Sequence, residues 1–102
     1  MIIDLWMAPI NPDKEAEAVE TWKKSAQIIN KTLGTNYRVM RPDSGLALRI
    51  LLVGELESHA ARESAMLTLN ENEEWQAHYD ESLEKNVADH TRIEHYCYNV
   101  VE

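Results

Sequence analysis

The stretch from Gly45 to Ser58, Gly-Leu-Ala-Leu-Arg-Ile-Leu-Leu-Val-Gly-Glu-Leu-Glu-Ser, most constrains what this chain can fold into. It is the longest apolar run in the sequence, and its middle is apolar at both parities. A strand of that kind is covered on both of its faces. Leu48, Ile50, Leu52 and Leu56 share one face, and Ala47, Arg49, Leu51, Val53 and Glu55 share the other. A turn signal, Arg41-Pro-Asp-Ser-Gly45, precedes the run. Proline there fixes φ, aspartate bonds its own backbone, and glycine accepts positive φ. Ser58 follows as a helix N-cap.

The elements on either side complete a pattern. Ile2 to Ala8 alternates as a strand, with Ile3, Leu5 and Met7 opposite Ile2, Asp4, Trp6 and Ala8. Asn11 and Pro12 open a helix in which Val19, Trp22, Ala26, Ile29 and Leu33 form one stripe. Gly34 sits where a left-handed residue closes it. Asn36 to Arg41 is a second strand. After Ser58 the spacing predicts a helix with Ala61, Ala65, Met66 and Leu69 inward. Asn72, followed by Glu73 and Glu74, is a fresh N-cap. Trp75, Tyr79, Leu83 and Val87 then recur every fourth residue, so the helix from about Ser58 to Asn86 is broken or kinked. Arg92 to Val101 alternates as a last strand.

The order β-α-β-β-α-β is the ferredoxin-like arrangement, an α+β fold with a four-stranded antiparallel sheet and both helices on one face. The 102 residues make one domain, 1–102. The other sheet face is expected to carry Trp6, Met40, Leu51, Val53, Tyr96 and Tyr98. An apolar face of that size predicts a homodimer with the two sheets packed together.

Composition excludes some classes. A net charge of −8 argues against nucleic acid and against an anionic membrane surface. Cys97 is the single cysteine, so the chain cannot staple itself with a disulfide. No basic leader opens the sequence, and no run approaches a membrane span. A cytoplasmic location is expected.

No motif names a reaction. His59, His78, His90 and His95 show no metal-ligand spacing among themselves, so no metal site is expected. His95 lies mid-strand beside Tyr96 and Tyr98 and reads as a hydrogen-bonded core residue or a catalytic one. Cys97 reads as an inert thiol facing the helices, since no basic residue adjoins it. The carboxylates of the 71–84 segment read as a solvated face. No glycine-rich phosphate loop and no nucleophile motif occurs. The polar residues expected on the open sheet face are Asp4, Arg38, Arg49, Glu55 and Glu94. Counting outward from the turn sets Arg38 opposite Arg49, two like charges that call for a carboxylate or a bound anion between them. The two readings are a buried polar network at a dimer interface and a pocket for a small acidic or aromatic ligand.

Three segments carry a resemblance: Leu51 to Ala65, Asn70 to Ala77, and Arg92 to Val101. Together they resemble the dimeric α+β barrel superfamily, and within it the NIPSNAP-like small proteins. Those show a strand ending in an acidic residue and Ser, an alanine-rich helix, an Asp-Pro-Glu-Trp-like break, and a last strand rich in Arg, Tyr and Val. Here Asn72-Glu-Glu-Trp75 stands at the break without the proline, which makes a softer break the expectation. The resemblance implies a ferredoxin-like protomer and a barrel-forming dimer. The superfamily holds cofactor-independent monooxygenases, haem-degrading enzymes and isomerases, so fold does not carry function across.

The expected function is binding of a small organic ligand in a cleft at the sheet face by Trp6, Arg38, Arg49, Tyr96 and Tyr98, with no cofactor. The alternative is a cofactor-independent monooxygenase or isomerase acting on an aromatic or polyketide-like compound, in which Trp6, His95 and Tyr98 orient the substrate and move protons. A second alternative is a purely structural or regulatory dimer.

Overall fold

The computed structural model describes residues 1–45 and 48–101. The chain runs β1 (Ile2–Pro9), α1 (Glu15–Leu33), β2 (Arg38–Met40), β3 (Arg49–Leu56), α2 (His59–Asn70), α3 (Glu73–Lys85) and β4 (Glu94–Asn99). Single 3-10 turns at Pro12–Lys14 and His90–Arg92 precede α1 and β4. The strands form one antiparallel sheet in the order β2-β3-β1-β4. This is the ferredoxin-like α+β fold that the element order predicts.

Local chemistry places the ends of the helices. Gly34 closes α1 in the left-handed conformation, with φ 67°. The Ser58 hydroxyl accepts from the Ala61 N–H at the start of α2. The Asn72 side chain accepts from the Trp75 N–H at 2.8 Å and starts α3, so the break survives without a proline. Asn11 forms no side-chain cap and instead donates to the Asn86 carbonyl, beyond the end of α3. Lys14 Nζ donates to the Lys85 carbonyl at 2.7 Å. The end of β1 and the end of α3 are thereby tied together, and Val87 and Ala88 are fully buried there.

Ile50, Leu52 and Ala8 pack under the helices in one core with Trp22, Ala26, Ile29 and Leu69, and Ile2 and Leu56 are buried on the same side of the sheet. The helix-facing side of β3 is as expected for Ile50, Leu52 and Leu56, whereas Leu48 lies before the strand and is exposed. Ala47, placed by the sequence on the opposite face, lies outside the described residues.

Three expectations are corrected. Asp4 and Trp6 belong to the helix-facing side of β1, because Ile2, Asp4 and Ala8 are the buried positions of that strand. Arg38 pairs with Val53, not with Arg49, which faces Pro9 of β1. The ladder closes at Met40 and Leu51, leaving a wider connection than the Pro-Asp-Ser-Gly signal suggests. The shift is an even number of residues, so Arg38 and Arg49 keep their face and are only drawn apart, about 13 Å along the strand. Finally, the buried residues of α3 are His78 and Ser82, whereas Tyr79 and Leu83 are 42% and 43% exposed.

Candidate functional site

Two groups of side chains lie between the sheet and the helices. The first is centred on Asp4, which is fully buried in the middle of β1. A buried carboxylate must be hydrogen-bonded and balanced by charge. Oδ2 accepts from the Tyr37 hydroxyl at 2.6 Å and from Trp6 Nε1 at 3.1 Å. Oδ1 accepts from Arg62 Nε at 3.1 Å, His95 Nε2 at 2.5 Å and the Cys97 thiol at 3.4 Å. The cross-strand register makes this convergence: Asp4 pairs with Cys97 and Trp6 with His95. Arg62 reaches down from α2. Its Nη2 lies 3.3 Å from His95 Nδ1. A neutral imidazole protonated on Nε2 satisfies both contacts, donating to Asp4 and accepting from Arg62. The indole of Trp6 stacks on the His95 ring, 3.9 Å between centroids.

Burial alone would raise the Asp4 carboxyl, but the hydrogen bonds from Tyr37, His95 and Cys97 outweigh it and hold the carboxyl below its usual range. The same arrangement pushes the Tyr37 hydroxyl up, through burial first, then its hydrogen bond to Asp4 and the Asp4 charge. Burial and the Asp4 carboxylate also push the Cys97 thiol up, which makes it a poor nucleophile.

Asp4, His95 and Cys97 offer one metal-ligand atom each, all within 4.8 Å of one another. The arrangement suits hydrogen bonds better than a metal. The Arg62 guanidinium already supplies the cation at Asp4 Oδ1. A histidine that ligates through Nε2 carries its proton on Nδ1, and here Nδ1 faces the donors of Arg62. A metal could enter only if Arg62 withdrew.

The second group lines a cavity of about 290 Å³ between the sheet and all three helices, open to solvent on one side. Trp6, Trp22 and Trp75, the three tryptophans of the chain, all line it. Ile29, Leu52, Met66, Leu69 and Ile93 complete the apolar wall. The polar lining is confined to Ser25, Asn70, His78, Ser82, His90 and the two tyrosines 37 and 79. No Lys, Arg, Asp or Glu lines it among the described residues. Ser25 Oγ lies 2.7 Å from His78 Nε2. Tyr79 stands edge-on to His90, with ring centroids 6.0 Å apart. Both ring nitrogens of His90 are buried and find no hydrogen-bond partner among the described residues. Burial holds the imidazoles of His78 and His90 below the ordinary histidine value, with Lys24 acting in the same direction on His78.

The expected site residues are therefore divided. Trp6 and His95 come together on the inner side of the sheet, and Trp6 and Tyr37 both line the cavity and donate to Asp4. Tyr96 and Tyr98 stack on each other on the open side, 40% and 53% exposed, along with Arg38 and Arg49. Trp6, His95 and Tyr98 cannot act on one substrate from opposite faces of a sheet. In the sequence reading Asp4 falls on the open face, and Arg62, His78 and Ser25 have no role at the site. A signal for Asp4 exists: it is the one polar residue in a stripe of Ile2, Trp6 and Ala8, and Arg62 shares a helical face with Met66 and Leu69.

No family model matches the sequence, and no curated protein does. Solved structures do match in fold. An uncharacterised NIPSNAP domain protein from Burkholderia xenovorans superposes with a TM-score of 0.82 at 16% identity, over 99% of this chain and 95% of that one. A NIPSNAP family protein from Agrobacterium tumefaciens gives 0.83 at 17% identity, over 99% and 86%. A cofactor-independent oxygenase from Streptomyces nogalater gives 0.69 at 11% identity, over 99% and 93%. The chain thus has the ferredoxin-like fold shared by NIPSNAP proteins and monooxygenase-like proteins, the superfamily its sequence resembles.

Proposed function

We propose that this protein binds a small, mostly apolar organic molecule in the cavity between its sheet and its helices. The observation that carries the reading is the lining: three tryptophans, aliphatic side chains and a few polar groups around about 290 Å³. An apolar concavity with a small number of placed polar groups is the usual form of a small-molecule site. This moves the site from the open sheet face to the inner one. Trp6 stays in it, while Arg38, Arg49, Tyr96 and Tyr98 are left to the open face.

The open face has its own role in this reading. Ile3, Leu5, Met7, Met40, Leu51 and Val53 line it with Tyr96 and Tyr98, and no helix packs over it among the described residues. We assign it to a second copy of the chain, as a homodimer with sheets packed face to face. The absence of a disulfide framework fits a cytoplasmic protein. No helix among the described residues is long and apolar enough to cross a membrane.

A thermal-shift screen of neutral aromatic compounds tests the binding reading. A ligand that binds only the folded state raises apparent stability by about RT ln(1 + [L]/Kd). A shift that disappears in Met66→Trp, which fills the cavity, supports it. A library that gives no shift, or equal shifts in Met66→Trp, refutes it and favours a purely structural dimer.

One observation favours a second reading, a cofactor-independent oxygenase or isomerase: a structural neighbour is named as an oxygenase of that kind. Oxygen uptake or isomerised product with aromatic quinols, lost in Met66→Trp, would support it. Inert mixtures would leave binding alone.

A further inference from the structure

The inner cavity differs from its surroundings in charge. His78 is 5% exposed and lies in the wall that separates two spaces. On its inner side is the tryptophan-lined cavity, whose described lining carries no ionised side chain. On its outer side is a groove between α1 and α3 of about 420 Å³, lined by Glu17, Glu20, Lys23, Lys24, Glu81 and Lys85. His78 and Ser82 line both. The charged side chains that α1 and α3 bring near His78 thus line the outer groove and not the cavity.

Among the polar groups that line the cavity, Ser25 and His78 form a hydrogen-bonded pair, with Oγ and Nε2 2.7 Å apart. The pair can be arranged in two ways without any change of charge. If His78 donates from Nε2, the Ser25 hydroxyl hydrogen is free to turn to the Thr21 carbonyl, 3.3 Å away, or to a ligand acceptor. If Ser25 donates to Nε2, the lone pairs of Oγ can accept from a ligand donor. Such a pair complements a hydroxyl or a carbonyl. It offers an anion a hydrogen bond but no countercharge, and an ion moved out of water without an opposite charge is strongly disfavoured.

We propose that the cavity selects neutral ligands carrying one hydroxyl or carbonyl group, that Ser25 and His78 anchor that group, and that organic anions are excluded. This rests on the binding reading above and narrows it: the acidic ligand that two arginines on the open face would suit is not a ligand of this site.

Three probes of the same shape separate the claims: naphthalene, 2-naphthol and 2-naphthoate. At pH 7 the first two are neutral and the third is ionised. Equilibrium dialysis of the wild-type protein should show 2-naphthol bound about tenfold more tightly than naphthalene, the usual scale of one buried hydrogen bond. It should bind 2-naphthol at least tenfold more tightly than 2-naphthoate. In Ser25→Ala the ratio of naphthol to naphthalene affinity should fall toward one. The comparison among ligands on the wild-type protein does not depend on any variant folding. If 2-naphthoate binds as tightly as 2-naphthol, or if naphthalene and naphthol bind alike in the wild-type protein, selectivity is overturned while the binding reading stands. If the wild-type ratio survives in Ser25→Ala, the anchor is misassigned and the proposal fails in that part. If none of the three binds, both readings fall together.

Discussion

Arg62 Nε lies 3.1 Å from Oδ1 of Asp4, joining a helix to a fully buried carboxylate 58 residues earlier in the chain. This pair centres a polar network that joins β1, α2 and β4. Removing one partner of a buried ion pair leaves an uncompensated charge, which costs about 3–5 kcal/mol. Arg62 is 21% exposed, so the lower end applies. Arg62→Met should cost about 3 kcal/mol in urea denaturation. Asp4→Asn combined with Arg62→Met should cost less than the sum of the two single changes, because the double variant buries no lone charge. Additive costs would mean the two groups do not depend on each other.

Gly54 sits opposite Asp4 in the sheet, and a Cβ placed on it would lie 2.6 Å from the ring of Tyr37. Tyr37 is 4% exposed and tethered to Asp4 through its hydroxyl, so it has little room to give. Gly54→Ala should destabilise the protein by about 1–3 kcal/mol, the usual scale of overpacking. Tyr37→Phe in the same background should recover part of that loss by freeing the ring to move. An unchanged denaturation midpoint in Gly54→Ala would contradict this packing.

Stability should fall with acid in two steps. Burial depresses His78 and His90 below the ordinary value of 6.5, so the unfolded chain takes up their protons first. Their contribution is complete above about pH 6.5 and is lost as pH drops below it. Asp4 is depressed below 3.8, so its contribution holds above that value and is lost in stronger acid. Urea midpoints should be flat from pH 8 to 7, lower at pH 5.5, and lower again below pH 4. His78→Gln should reduce the first loss. A midpoint that rises between pH 7 and pH 5.5 would contradict the sign.

The homodimer makes its own prediction. Leu5 is central on the open sheet face, between Val53 and Tyr96. Light scattering coupled to size exclusion should give twice the chain mass for the wild-type protein and the single mass for Leu5→Lys. Far-ultraviolet circular dichroism of the variant should be unchanged. A wild-type monomer at micromolar concentration would remove the dimer.

Much of the fold is legible in the sequence because the relevant signals are local. Gly34, Ser58 and Asn72 mark helix ends through their own backbone chemistry, and the alternation in β3 sorts Ile50, Leu52 and Leu56 from Leu51 and Val53. The site is less legible because its signals are long-range. A mid-strand aspartate reads as outward-facing until Arg62, His95 and Tyr37, distant in sequence, are known to reach it. On α3, Trp75–Tyr79–Leu83 and His78–Ser82 are both stripes of helical spacing. What selects between them is the Ser25–His78 contact with α1, which no pattern within α3 contains. The Arg38–Arg49 pairing failed for a related reason, since turn chemistry at Pro42 to Gly45 does not fix the length of the whole connection.

The central claim is that ligand enters the inner cavity and not the open sheet face, and the three indole N–H signals test it most directly. Trp6, Trp22 and Trp75 all line the cavity, while Tyr96 and Tyr98 lie on the other side of the sheet. In a ¹⁵N-resolved NMR titration with 2-naphthol, the account predicts saturable shifts of all three indole signals. The backbone amides of Tyr96 and Tyr98 should move little. Shifts centred on Tyr96, Tyr98, Arg38 and Arg49, with the three indoles unmoved, would contradict it.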